Sequence, residues 1–543
     1  WMKKILALAP HTDDIELGCG ATLHKYRNDY QIDAFKKWVI NEYSSTLPYY
    51  VNEGLIQENI PLKWIVEASL IVHRLSEMPW YTQEQILNET SLTKAELITL
   101  NSFICESKFL QDIILHHGLG RKYWNTIIPY VKSGKIDKVI NYEYDFPLRL
   151  ALFPGMSCMY YCGFCGRNQS AAYDPKKVLK SGVDRYKDII SSLPKNSTIS
   201  ISGGLEPLTN FKLGEIISHA KSLGHRVPLI TNAHMLTSKY LEGQPGIWDL
   251  DSLRVSLYGT DDESTYFVTR HKKAYELVKD NIVKFLIERN ERKSNVKVGI
   301  NYIIIPENMD TILPLLDYIV DVNNKVDNGS GIDFLTIRED FGSVTEIDDD
   351  ADKDVEGRKY NLEGLLSVGH RRQLIDTFQK FNRRIKKECP DLHVDFGYAM
   401  VALGEGVLGK PLVRVDGTQM RNSGFPQLSV AIDSAGDVFL YREAGFLDRP
   451  GNDKFIAGRI TDGETLESVL KRFIENKEKA DLAHDDSRFM DSYDHLITLL
   501  VNQAEQDMNF RIPFEKGPVK VRGFDSNDLS MNLSNNWYRD EKD

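Results

Sequence analysis

Long apolar runs, excess positive charge and cysteine are all scarce in this sequence of 543 residues, and each scarcity closes off a class of function. No stretch reaches the roughly 18 apolar residues of a membrane span. The apolar run in Lys3-Lys4-Ile5-Leu6-Ala7-Leu8-Ala9 is short for a secretory signal. A membrane is therefore not an expected partner, and a cytoplasmic location is. The 67 Lys and Arg residues face 78 Asp and Glu, a formal net charge of −11, and they are dispersed among the acidic residues. Such a chain has no basic field for holding a phosphate backbone, so nucleic acid is not an expected partner either. Of only six cysteines, Cys158, Cys162 and Cys165 crowd together while Cys19, Cys105 and Cys389 lie far apart. That pattern suits a metal site in a reducing compartment better than a disulfide framework.

The organisation along the chain follows from periodicity. Residues 1–60 form an N-terminal segment, and 61–140 have apolar positions at helical spacing, with Thr93-Lys94-Ala95-Glu96 in the form of a capping box. From 141 to 345 short apolar or β-branched runs alternate with helical segments. The runs are Leu148–Phe153, Thr198–Ser202, Val227–Thr231, Leu253–Tyr258, Val298–Ile305 and Ile332–Arg338. The alternation predicts an α/β fold, a partial (β/α)6 TIM-like barrel of parallel strands, open or closed. Residues 346–515 read as a C-terminal α+β extension. It has an acidic surface loop at Glu346–Glu356, a helix around Leu374–Lys387, and a hairpin of Leu428–Ile432 and Val438–Tyr441 about the turn formers Asp433–Asp437. Residues 516–543 are a polar tail without periodicity.

Cys158-Met159-Tyr160-Tyr161-Cys162-Gly163-Phe164-Cys165 spaces three thiolates so that one loop can wrap a face of a cubane cluster. Three ligands leave one iron open to a small molecule. A structural zinc site is the plainer alternative, but zinc wants four ligands and the fourth is absent nearby. This C-x3-C-x2-C motif resembles that of the radical S-adenosylmethionine (SAM) superfamily. The resemblance implies one 4Fe–4S cluster on Cys158, Cys162 and Cys165, with SAM on the open iron. Ser202-Gly203-Gly204-Leu205-Glu206-Pro207 resembles the superfamily's GGEP segment, where backbone without a Cβ receives the methionine end of SAM. On the same resemblance Gly203, Gly204, Glu206, Asn232 and Ser256 are candidate SAM-binding residues, and Tyr258, Asn301 and Glu339 candidate catalytic residues at the strand ends.

Further segments narrow the resemblance. Tyr123–Thr126, Phe153–Gly155, Ser202–Asn210, Ser256–Gly259, Ile337–Asp340 and Leu440–Phe446 are similar to the family of TDP-4-amino-4,6-dideoxy-D-glucose ammonia-lyases of deoxysugar pathways, from about residue 62 to 505. Gly163, Gly166, Arg167 and Asn168 depart from that family's pattern. The resemblance implies hydrogen abstraction from a nucleotide-linked aminosugar and loss of ammonia, or, on a 4-hydroxy analogue, oxidation to a ketone. It also implies an electron donor such as flavodoxin or ferredoxin. Arg338, Tyr441, Arg442 and Glu443 are the candidate substrate residues, an arginine facing diphosphate, because a guanidinium grips phosphate oxygens in pairs. An ordinary ion pair at Arg442 is the competing reading. The hairpin has Tyr441 where an auxiliary cluster would need a cysteine, so a single cluster is expected.

Pro10-His11-Thr12-Asp13-Asp14 resembles the zinc-binding opening of the PIG-L deacetylase family, with His11 and Asp14 as ligands and Asp13 as base. The similarity fades after about residue 26, and two ligands do not make a durable zinc site, so the segment reads as vestigial or structural. Gly404–Lys410 has phosphate-loop spacing, but Pro411 replaces the required hydroxyl residue. His116-His117 ends a predicted helix, where packing or a charge interaction with the helix end is expected. A zinc hydrolase and a non-catalytic iron–sulfur protein are the alternatives from other classes.

Overall fold

In the computed structural model of the chain, residues 135–162, 165, 171–326, 330–339, 368–396, 424–461 and 463–477 are described, with isolated residues between 67 and 100 and between 489 and 501. The motif around His11, Gly163, Phe164 and Gly166–Asn168 of the cysteine loop, His116-His117, Tyr123–Thr126, the acidic stretch, Gly404–Lys410 and the tail lie outside those residues. The capping box lies within them. The Glu96 backbone N–H donates to Thr93 Oγ1 at 3.3 Å, and the Thr93 N–H donates to Glu96 Oε2 at 2.7 Å.

After a short helix, Lys135–Ile140 (α1), each of the six apolar runs becomes a strand: Arg149–Phe153 (β1), Ile199–Ile201 (β2), Pro228–Thr231 (β3), Ser252–Leu257 (β4), Lys297–Ile304 (β5) and Phe334–Glu339 (β6). They pair in parallel and in chain order. The connections carry helices Pro175–Ser192 (α2), Leu213–Ser222 (α3), Ser238–Gly243 (α4), Asp262–Thr269 (α5), Ala274–Arg292 (α6) and Ile312–Lys325 (α7). Local chemistry sets their limits. The Asp174 carboxylate caps α2 by accepting from the Lys176 N–H at 3.0 Å, and Pro175 stands in the first turn, where its missing N–H is not needed. Leu193-Pro194 ends the helix, since a residue before proline is driven to extended backbone. Val183, Tyr186, Ile189 and Ile190 bury one stripe of α2 against the sheet.

The predicted helix near Leu374–Lys387 spans Val368–Glu388 (α8) and leads to a strand the sequence reading missed, His393–Phe396 (β7), parallel to β6. The hairpin strands are Ser429–Asp433 (β8) and Asp437–Phe439 (β9). A second unforeseen strand, Ile456–Arg459 (β10), and helix Leu466–Glu475 (α9) follow. Four residues are too few to show a period, which is why β7 and β10 were not read from sequence. The strand order is β10-β9-β8-β1-β2-β3-β4-β5-β6-β7, with β8 parallel to β1. The strands of the C-terminal extension therefore join the barrel's own sheet, and among the described residues its edges are β10 and β7 and no pairing closes it.

Register fixes what lines the face opposite the helices. Ser256, Asn301, Thr336 and Asp395 are paired neighbours on β4 to β7 and form one polar row. One row earlier, Arg254, Gly299 and Phe334 make an apolar floor. A Cβ on Gly299 would lie 2.1 Å from the Phe334 ring, so only glycine lets that ring lie flat across the strand. The Arg254 guanidinium sits 5.4 Å from the centre of the same ring. Among the described residues no helix is long and apolar enough to cross a membrane.

Candidate active site

The cysteine loop leaves the C-terminal end of β1, the end of a parallel barrel where functional loops gather. Cys162 is buried, Cys158 and Cys165 are half-buried, and none is in a disulfide. The loop is anchored on both sides. The Cys165 N–H donates to Cys162 O at 3.0 Å and the Tyr161 N–H to Thr269 O at 2.9 Å. Tyr160, only 2% exposed, plugs inward, its hydroxyl 3.1 Å from His234 Nδ1 and its ring edge-on to His234 and Tyr258. Burial, then Cys162, Glu206 and Cys158, pushes the Tyr160 phenol up, so its hydroxyl stays protonated beside His234. Burial, then the adjacent His271, lowers His234 and keeps it neutral.

Tyr258 stands among all three thiols. Its hydroxyl is held well above its ordinary range by burial and by Cys162, Cys158, Cys165 and Glu206, in that order. Asn232, at the end of β3, directs its side-chain N–H at Met159 Sδ (3.2 Å) and Cys158 Sγ (3.8 Å). No three Cys, His, Asp or Glu side chains among the described residues converge as ligands of one ion. The three thiols therefore do not meet at the roughly 2.3 Å reach that zinc–sulfur bonds to one ion require. Three free thiols on one loop, with the Asn232 amide beside Cys158, are the soft donor set that iron–sulfur clusters take.

The two glycines after β2 have different surroundings. A Cβ on Gly203 would meet nothing within 4 Å, whereas one on Gly204 would lie 2.5 Å from Gly445 O. Gly203 borders open space, and Gly204 allows the close approach of the Gly445 backbone. The Glu206 side chain is turned inward. It accepts from Thr231 Oγ1 at 2.5 Å, from the Asn232 N–H at 2.8 Å and from the Leu208 N–H at 3.0 Å. Burial raises its pKa against those three donors. Its carboxylate ties the ends of β2 and β3 together, and that places Asn232.

A second group gathers deeper on the same face. Asn301 Oδ1 accepts from Arg338 Nε at 3.3 Å, and Ser256 is its register neighbour. Glu339 closes β6 opposite Ile304. Arg442 and Glu443 open a short turn of helix, Arg442–Gly445, that folds back onto β1. Burial, then Arg149 and more weakly Arg338, lowers the Arg442 guanidinium, against the carboxylates of Glu443 and Asp491. Among the described residues no hydrogen bond or ion pair engages Arg442. Glu443 is raised by burial and opposed by Arg442 and Arg449. Tyr441 does not join this group. It is 2% exposed and packs on Phe455 at 5.3 Å between ring centres.

Sequence reasoning missed Arg149, His234, His271 and Asp491. Arg149 starts β1 and pairs with the buried Asp491 at 3.2 Å, a partner 342 positions away that no local pattern discloses. His234, two residues past Asn232 at a strand end, was the one signal within reach.

A barrel strand, a three-thiol loop and a glycine pair at the next strand end define the class: residues 152–319 match the model described as the Radical SAM superfamily, whose members use SAM and a 4Fe–4S cluster. The dTDP-4-amino-4,6-dideoxy-D-glucose ammonia-lyase of Streptomyces venezuelae is 37% identical over 388 residues, 71% of this chain and 76% of that protein. The chain belongs to that enzyme's family. Looser likenesses join it to solved structures: Streptococcus suis SuiB bound to precursor peptide SuiA (TM-score 0.41, 14% identity, 70% of this chain and 80% of that one) and anSMEcpe with bound AdoMet (0.39, 13%, 71% and 92%).

Proposed function

We propose that this chain is a radical SAM carbon–nitrogen lyase acting on a nucleotide-linked, TDP-type 4-amino-deoxysugar, with one 4Fe–4S cluster and a flavodoxin or ferredoxin as electron donor. Hydrogen is taken from C3, ammonia leaves from C4, and the carbon radical that remains takes one electron from the donor and one proton to give the 3-keto-dideoxy sugar. When bound, the cluster and SAM supply the radical that takes the hydrogen. Cys158, Cys162 and Cys165 hold the iron, and Gly203, Asn232 and Ser256 hold SAM. Tyr258, Asn301 and Glu339 border the reacting carbon and exclude water from it. Arg442 and Arg338 take the diphosphate, and Glu443 takes polar groups of the sugar.

The observation that carries the substrate half is Arg442. It is a half-buried guanidinium whose donors no described residue uses, in the shared field of Arg149 and Arg338. The carboxylates of Asp491 and Glu443 share that field, Asp491 being paired to Arg149, so the planar donors of Arg442 are left for a diphosphate to answer. The test is anaerobic incubation with SAM, a strong reductant and a panel of TDP-sugars, read by mass spectrometry. The 4-amino sugar should lose ammonia while 5′-deoxyadenosine accumulates. 5′-Deoxyadenosine without any altered sugar across the panel would overturn the substrate reading.

A further inference from the structure

Among its described residues the cysteine loop meets the surface at Tyr161, and the turn bonded to it is cationic in an acidic chain. Tyr161, next to Cys162, is 46% exposed, and its N–H is bonded to Thr269 O at the end of α5. The next four residues are Arg270, His271, Lys272 and Lys273, three of them cationic in a chain of net charge −11. Lys272 and Lys273 are exposed, and Glu276 follows on α6. Arg270 and Lys273 both have left-handed backbone, φ +58° and +62°, so the turn projects as a fixed corner between α5 and α6. Tyr266, whose carbonyl accepts the Arg270 N–H at 2.9 Å, is 41% exposed. Exposed aromatics beside arginine and lysine have the composition of a protein-binding patch rather than of a merely solvated turn.

From this corner a short packed route runs inward. The His271 ring lies 4.7 Å from that of His234 and 5.7 Å from that of Tyr160, between Cys158 and Cys162 in sequence. We propose that the Arg270–Lys273 corner, with Tyr161 and Tyr266, is the docking surface for a small acidic one-electron carrier protein. One electron leaves the carrier's reduced flavin or iron–sulfur centre and enters the cluster through the His271–Tyr160 contact, the carrier being oxidised by one electron. The proposal rests on the reading of the cysteine loop as the cluster site. It needs nothing from the assignment of the sugar.

The test uses the reconstituted full chain with reduced flavodoxin as the probe, and dithionite as a small reductant that needs no docking. In the Lys272→Glu/Lys273→Glu variant the flavodoxin-driven rate of 5′-deoxyadenosine formation should fall about tenfold or more at low salt, and the steep salt dependence of the wild type should flatten. The dithionite-driven rate should be unchanged, which also shows that the variant is folded. Lys195→Glu, an exposed charge reversal before β2, should leave both rates alone. Equal flavodoxin-driven rates in wild type and double variant overturn the docking surface and leave the cysteine site standing. No SAM cleavage by the wild type with dithionite overturns both.

Discussion

Replacing Glu206 by glutamine separates a residue that holds the site together from one that binds the cofactor. One carboxylate oxygen accepts from Thr231 Oγ1 and the Leu208 N–H, the other from the Asn232 N–H. A glutamine has one accepting oxygen and one donating amide. If its oxygen serves Thr231 and Leu208, the amide faces the Asn232 N–H. If it is flipped, the Thr231 hydroxyl can turn to accept, but the Leu208 N–H is orphaned. Either way one buried backbone donor loses its acceptor, at a cost of about 1–3 kcal/mol. Glu206→Ala orphans all three donors and opens a cavity, for roughly 3–6 kcal/mol. The assay is thermal unfolding of the cofactor-free chain, where a shift of roughly 2 °C or more per kcal/mol is expected for a large domain. The Tm should fall for Gln and fall further for Ala with no SAM present. An unchanged Tm together with a tenfold or greater rise in the KM for SAM would refute the inward role.

Three further substitutions bear on neighbouring features. Gly204→Ala should destabilise by about 1–3 kcal/mol, because its Cβ would lie 2.5 Å from Gly445 O, while Gly203→Ala should keep its Tm and raise the KM for SAM. Equal Tm losses at the two positions would contradict the difference in their surroundings. Arg442→Lys keeps charge but not paired donors and should raise the nucleotide-sugar KM by roughly 10- to 100-fold with kcat nearly held, the worth of one or two charged hydrogen bonds. An unchanged KM removes Arg442 from the diphosphate. Asp433, which accepts the Tyr173 hydroxyl at 2.5 Å, is raised by burial and by Asp437 to about 6 from 3.8. Its folded state holds the proton more tightly, so its contribution is full below the unfolded value and is lost as pH rises through 6, on the order of 2–3 kcal/mol. Asp433→Asn should gain on the wild type in Tm as pH goes from 4 to 7. A constant difference would refute that titration.

Much of this architecture could be read before the fold was seen, and for identifiable reasons. The six barrel strands are buried on both faces or lie beside a polar row, so they appear as near-continuous apolar runs, and Asp433–Asp437 announces its hairpin through turn formers. The cysteine loop was legible because its chemistry is local. What was hidden is what distance in sequence hides: Arg149 with Asp491, Gly204 with Gly445, and β8 laid beside β1. The surroundings of Glu206 and Tyr441 were hidden for a related reason. Only three-dimensional packing shows that the Glu206 carboxylate ties two strand ends and that the Tyr441 ring packs on Phe455.

The most direct test is electron paramagnetic resonance of the anaerobically reconstituted, reduced chain with and without SAM, alongside iron and sulfide analysis. Cys158, Cys162 and Cys165 acting together predict about four irons per chain and the signal of a reduced 4Fe–4S cluster that changes shape when SAM is added. Single Cys→Ala variants should lose that signal. A chain that takes up zinc in place of iron, or a cluster signal indifferent to SAM, would contradict the open iron on which the proposed chemistry depends.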